Sequence, residues 1–196
     1  MRLSQVKGEA QLDRKTDSGF EAAFANLPIA QGERLMTNLG VAEVEFEDNS
    51  SLRITPDSLI EFPALNRAPS GATITSVKLL KGTLYVSMAS TKGNAFSITF
   101  GNSTIALTPS SHIRLDAGTG AGASKATLTV FNGNVQVADS SGTTIIGKKK
   151  AFTFDAAATQ TPPVLVSKVE QEPFDQWDKS EMDYHKLRSV ASAYGN

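Results

Sequence analysis

The sequence predicts an all-β chain. It reads as an irregular, twisted β domain, solenoid-like or sandwich-like, made of many short strands and followed by one C-terminal amphipathic α-helix. Three observations point there. Apolar and polar residues alternate with period two almost throughout residues 2–154, which sends one set of side chains to a buried face and the other outward. Clusters of Gly, Asn, Asp and Ser interrupt the alternation at strand-length intervals, as in "EDNSS", "TKGN", "FNGN" and "DSSG", and several short strands so punctuated suggest a sandwich or barrel. No helical pattern lies between the alternating runs, which argues against a parallel sheet with helical crossovers.

The alternating runs are "GVAEVEFE" (40–47), "SLRI" (51–54), "ATITSVKLL" (72–80), "TLYVSM" (83–88), "AFSITF" (95–100), "STIALT" (103–108), "HIRLDA" (112–117), "ATLTVF" (126–131), "NVQVAD" (134–139) and "KAFTFD" (150–155). One phrase recurs: "QVKGEAQL" at 5–12, "LLKGTLYVSM" at 79–88 and "VFNGNVQVAD" at 130–139. Each places a glycine (Gly8, Gly82, Gly133) inside a strand-like run. Such a glycine marks a bulge, a tight bend or close approach of another backbone. The unequal spacing excludes a strict solenoid period. No following helix supports a phosphate loop, so the phrase is expected to be a strand corner. "DAGTGAGAS" (116–124) reads as an exposed loop between strands.

The β domain is expected to occupy residues 1–155, with a Pro/Ala-containing connector at 156–172 and the helix at 173–191. Pro173 suits a first helical turn. Asp175 and Asp178 lie near the start, and Lys179, Lys186 and Arg188 lie later, in line with the helix dipole. Phe174, Trp177, Tyr184, Leu187 and Ala191 share one face at helical spacing. This aromatic stripe holds the chain's single Trp, a residue type enriched at binding hot spots. Phe174, Trp177, Tyr184 and Leu187 are therefore the candidate partner-docking residues. The competing expectation is that the same stripe packs back onto the β domain.

Composition narrows the chemistry. The chain has 196 residues, a net charge of −1 and no cysteine. Thiolate catalysis, disulfides and zinc–cysteine sites are excluded, and no global field recruits nucleic acid. No apolar run approaches a membrane span. "MRLSQVKGEA" lacks the apolar stretch of a signal peptide and starts directly in strand-like sequence, which suggests a piece whose leader was removed, although a cytosolic N-terminus would look the same. Glu43, Glu45 and Glu47 share one strand face. They read as a solvated row with Val44 and Phe46 inward, the alternative being calcium or glycosidase chemistry. His112 and His185 lack companions for a zinc site or triad, and "GKKK" (147–150) reads as a solvated turn that blunts a sheet edge. No catalytic, cofactor or metal residues are assigned.

The stretch "LPIAQGERLMTNLGVAEVEFEDNSSLRITPDSLIEF" (27–62) resembles the FecR-type extracytoplasmic domain. Gly32, Thr37, Asp48–Asn49–Ser50 and Thr55 stand where that family has its glycine, its threonine step, its acidic hairpin and the following strand. Asn49 replaces the usual hairpin glycine. "LLKGTLYV" and "LTVFNGNVQV" are similar to two further family segments, whereas "LTPSSHIRL" (107–115) departs from the Arg-Gly-Thr motif of many members. "EPFDQWDKSEMDYH" resembles the F-D-x-W segment of an exported bacterial subgroup. The resemblance implies a location outside the cytoplasm, in the periplasm or at the cell surface. It also implies a non-enzymatic interaction or sensing role, with another envelope protein or a continuation of the same chain as partner. Two other readings are kept. One is an envelope carbohydrate-active enzyme using acidic residues of 43–48 and 57–61. The other is the sensor subunit of a signalling system.

Overall fold

The computed structural model describes residues 1–118, 124–140, 142–155, 164–166 and 169–194. Its strands, numbered along the chain, form two open sheets. One has eight strands in the order β1 (Arg2–Lys7), β5 (Val41–Glu45), β6 (Ser51–Ile54), β9 (Thr83–Ser87), β12 (His112–Asp116), β13 (Lys125–Asn132), β16 (Lys150–Asp155) and β17 (Val164–Val166). The other has nine, in the order β15 (Gly142–Gly147), β14 (Asn134–Asp139), β11 (Ser103–Leu107), β10 (Ala95–Phe100), β8 (Thr73–Lys81), β7 (Leu59–Arg67), β4 (Arg34–Thr37), β2 (Ala10–Asp13) and β3 (Phe20–Ala22). Neighbours are antiparallel except β8 and β10, which run parallel. The chain is mostly β, as the alternation predicts.

The alternation is what joins the sheets. Across the eight-stranded sheet two apolar rows lie in register: Ala42–Ile54–Leu84–Leu115–Leu128–Phe152 and Leu3–Val44–Leu52–Val86–Ile113–Val130. All of these side chains are buried, and they share one core with Ile60, Phe62, Val77, Ile98, Ile105 and Val137 of the nine-stranded sheet. Burying apolar surface at about 25 cal/mol per Å² is the dominant favourable contribution to such a fold.

The recurring glycine phrase has a single geometric meaning. Gly8 joins β1 to β2, Gly82 joins β8 to β9 and Gly133 joins β13 to β14, and each junction carries the chain from one sheet to the other. Their φ angles are +83°, +84° and +74°, a region in which a Cβ clashes with the following carbonyl. A Cβ at Gly82 would also lie 2.6 Å from Ser58 Cα, and one at Gly133 would lie 2.8 Å from Ser111 Cα. Ser58 and Ser111 themselves sit at crossings, from β6 to β7 and from β11 to β12. The corners are thus packed backbone against backbone.

The strand β15 carries no alternation and was not expected. Thr143, Thr144 and Ile145 are all exposed, and pairing with β14 alone makes it a strand. The loop expected at 116–124 lies partly outside the described residues, as does the connector expected at 156–172, of which 156–163, 167 and 168 are not described. Within the latter, Val164–Val166 pairs with the β16 edge. The helix α1 runs from Asp175 to Tyr194, with Pro173 and Phe174 in the turn before it. Its start is capped reciprocally. The Glu172 amide donates to Asp175 Oδ2 at 3.0 Å, and the Asp175 amide donates to the Glu172 carbonyl at 3.0 Å.

Candidate functional site

Between the two apolar rows, the eight-stranded sheet carries an outward row in register: Gln5, Glu43, Arg53, Tyr85, Arg114 and Thr129, from β1, β5, β6, β9, β12 and β13. Period-two alternation would leave this row in water. The helix α1 lies across it instead. Arg53 is 0% exposed, Glu43 2% and Asp178 1%.

The contacts follow the helical lattice. Asp175, Asp178 and Glu181 recur every three residues, with Met182 and His185 on the same side, so one stripe faces the sheet. Asp175 accepts from the Tyr85 hydroxyl at 2.8 Å and from Arg114 Nη1 at 2.6 Å. Arg114 Nη2 donates onward to the Glu170 carbonyl at 3.1 Å. Asp178 accepts from Arg53 Nη1 at 2.8 Å through Oδ1 and meets His112 Nε2 at 2.6 Å through Oδ2. Arg53 also donates from Nε to Glu43 at 2.8 Å and from Nη2 to Ser51 at 2.9 Å. Glu181 accepts from Lys7 Nζ at 2.6 Å and from Trp177 Nε1 at 3.2 Å. His185 Nε2 lies 2.8 Å from both oxygens of Glu43. No described side chain of α1 belongs to the hydrophobic core. Charge therefore holds this helix to its sheet.

The environment sets the protonation states. Burial pushes the Glu43 carboxyl up. Hydrogen bonds from His185 and Ser4, together with the Arg53 charge, outweigh it and hold the group below its ordinary value. Asp175 is likewise held low, with Arg114, the Glu172 amide and Tyr85 prevailing over burial. The hydrogen bond to Glu43 raises His185 against the opposing effect of burial. Burial, and then the bond to Asp175, drive Tyr85 far upward, so it stays a neutral donor.

A pH window for helix docking follows. Lowered carboxyls stabilise the docked state above their unfolded values, 4.5 for Glu43 and 3.8 for Asp175, and that stabilisation is lost as pH falls through their folded values. A raised histidine stabilises docking below 6.5 and loses that contribution as pH rises through its higher folded value. The emission of Trp177, the only tryptophan, reports docking. It is expected to be most blue-shifted between about pH 5 and 6.5 and to move red on either side. His185→Gln is expected to remove the alkaline limb and to move the acid limb to higher pH, because Glu43 loses the imidazolium that helps hold it low. An unchanged alkaline limb in that variant would contradict the assignment.

The expected docking residues divide. Tyr184 and Leu187 are 52% and 70% exposed. Phe174 and Trp177 are half-buried and meet edge to face, their ring centroids 6.1 Å apart. Glu43 is corrected from a solvated carboxylate to a buried one because α1 covers it, while Glu45 and Glu47 remain accessible and pair with Arg2 and Arg67. Val44 and Phe46 point inward as expected. His112 is held between Asp178 and the Phe131 ring, at 4.8 Å from the latter. Lys148, Lys149 and Lys150 are exposed at the turn before β16. Sequence reasoning missed the pairing of Arg53 and Arg114 with the helix. The available signal was a lone arginine in the middle of each of "SLRI" and "HIRL", together with Asp-x-x-Asp-x-x-Glu in the helix.

Beside this interface a polar cavity of about 240 Å³ opens between β1 and α1, lined by Arg2, Ser4, Gln5, Asn26, Glu43, Glu181, Tyr184 and His185. Among the described residues no cluster of three or more His, Cys, Asp or Glu could hold a metal ion. No described helix is long and apolar enough to cross a membrane.

Comparison with known proteins places this geometry in context. A family model described as "FecR protein" matches residues 34–136, just over half of the chain, from β4 into β14. The match includes Glu43, Arg53, Tyr85 and Arg114 and stops short of α1. Two crystal structures of a proposed anti-sigma factor from Parabacteroides distasonis share the fold, with TM-scores of 0.57 and 0.55 at 10% identity. The alignments cover 69% and 68% of this chain and 59% and 58% of the crystallised ones. The chain thus spans under two thirds of the length of those structures. No curated protein matches it.

Proposed function

The chain belongs to the FecR protein family, and from that premise we propose that it is a non-enzymatic interaction and sensing module acting outside the cytoplasm, in the periplasm or at the cell surface. Its partner is another envelope protein or a continuation of the same chain. One observation carries the reading. The eight-stranded sheet spends its central charged side chains on holding a helix, and that helix turns Tyr184 and Leu187 outward beside the half-buried Phe174 and Trp177. Exposed large apolar groups on a fixed, rigid element are what a docking surface requires.

Of the six carboxylates in 43–48 and 57–61 that a glycosidase would draw on, five are engaged elsewhere and Asp57 lies exposed. Glu43 is clamped by Arg53, Glu45 by Arg2, Glu47 by Arg67 and Glu61 by Arg34, and Asp48 caps its own turn at the Ser50 amide. This supports the interaction reading over a two-carboxylate mechanism. The fold shared with a proposed anti-sigma factor supports a signalling setting for it.

A photo-crosslinking residue at Leu187, in the chain expressed in its own cells, is expected to give one discrete adduct with an envelope protein. The adduct is expected to vanish with Tyr184→Ser. The chemical-denaturation midpoint of the same variant separates loss of the adduct from loss of the fold. Adducts from an equivalent probe at Ile145 but none at Leu187 would move the docking surface off the helix. Protection from protease added to spheroplasts would contradict the location.

A further inference from the structure

We propose that the outer face of the eight-stranded sheet is a receptor for acidic helices, filled in cis by α1 and open in trans to a partner segment of the same acidic spacing. The proposal rests on the interaction reading but uses the sheet, not the outward side of α1.

Three observations carry it. The sheet presents Lys7, Arg53, Arg114 and His112 from β1, β6 and β12, and each meets a carboxylate of α1. Arg53 and Arg114 are almost wholly buried beneath α1, so whatever covers this face must carry carboxylates. A cover that lacks them would leave Arg114 buried without its carboxylate partner, which is strongly unfavourable. The complementary groups are Asp175, Asp178 and Glu181, at regular three-residue spacing on a helix. Any helix with that spacing reproduces them, because the fork of an arginine recognises a carboxylate and not the residues around it. Finally, no described side chain of α1 belongs to the hydrophobic core. Trp177, Met182 and Phe174 in the turn before the helix are only half-buried, so among the described residues no interlocking apolar surface restricts the site to this one helix. The occupant in trans is thus an acidic helical segment of a partner protein, matched by charge.

The tethered helix competes. A site filled in cis lowers the apparent affinity for an outside helix by the fraction of molecules in which it is vacant, and tethering at millimolar effective concentration keeps that fraction small. Loosening α1 therefore strengthens binding in trans.

The probe is a fluorescent synthetic peptide of residues 172–187. Binding is measured by anisotropy to the full chain and to a D175N/D178N chain whose own helix is weakened. The variant is expected to bind at least about tenfold more tightly than the unaltered chain. Binding should weaken steeply between about 50 and 500 mM salt and be lost when R53Q and R114Q are added. A peptide carrying D175N and D178N should not bind. A peptide carrying Leu187→Ser should bind undiminished, which separates this site from the docking surface on α1. The unaltered chain supplies a second readout that needs no variant. Excess peptide carrying Trp177→Phe should displace α1 and shift the Trp177 emission to the red. Equal binding to both chains, binding that survives R53Q/R114Q, or absence of both binding and emission shift overturns the proposal. A dimer formed by exchanging α1 between two copies, seen by size-exclusion chromatography, would also overturn it, because the occupant would then be this chain itself.

Discussion

Replacing Arg53 with Met is expected to release the C-terminal helix while the sandwich stays folded. Arg53 is the only cation that touches both Glu43 and Asp178 among the described residues. Removing one member of a buried ionic group costs about 3–5 kcal/mol, because the remaining charges stay buried without compensation. Here the protein has an escape. Undocking α1 returns both carboxylates to water, so the penalty is capped at the free energy that holds the helix down. Trp177 emission should move red, and protease should cut within α1. The chemical-denaturation midpoint of the sheets, followed by far-UV circular dichroism, should change little. Arg53→Met combined with Glu43→Met and Asp178→Leu should recover part of the docking, since neither carboxylate is then left buried without its cation, while the contacts from His112 and His185 are lost with them. A variant that keeps its Trp177 environment but loses several kcal/mol in the sheet transition would show instead that Arg53 acts as a core residue of the sandwich.

Gly82→Ala is expected to lower global stability by about 2–5 kcal/mol, combining left-handed backbone strain of about 1–2 kcal/mol with overpacking of about 1–3 kcal/mol. The added methyl would meet Ser58 Oγ, Cα and Cβ, the last at 2.7 Å. Ser58 cannot withdraw, because its amide and carbonyl are tied to Thr37 and its hydroxyl accepts from the Thr83 amide. Gly93→Ala is the control. Its φ is +91°, with nothing within 4 Å of the new atom, so it should show the backbone strain alone. Equal midpoint shifts for the two variants in guanidinium denaturation would mean that the close packing of the corner contributes nothing.

The contrast between these two residues shows what the sequence makes legible. Gly82 belongs to a phrase written three times, and repetition with a glycine in the middle of a strand already marked a corner. Only its place, at the passage between sheets and pressed on a second passage, needed the fold. Arg53 gave no such sign. In "SLRI" it looks like any outward residue of an amphipathic strand, and Glu43 in "VAEVEFE" likewise. In the helix, the visible pattern was the aromatic stripe of Phe174, Trp177, Tyr184 and Leu187. The stripe that faces the protein is Asp175, Asp178, Glu181, Met182 and His185. Amphipathicity indicates which side of a helix is apolar. It does not indicate that a sheet will offer charges for the other side.

Local rules therefore determined most of the strands, their inward residues, the turns between them, the glycine corners and the existence of the C-terminal helix. Each of these depends on dihedral preference or on side-chain periodicity over a few residues. The tertiary structure alone decided the order of the strands in two sheets, the strand β15, and the burial of Glu43, Arg53 and Arg114 beneath α1. The reason is that pairing register and charge complementarity act between residues far apart in the chain, such as Arg53 and Asp178. Alternation marks a side chain as outward, but only the folded chain determines whether water or another element lies there.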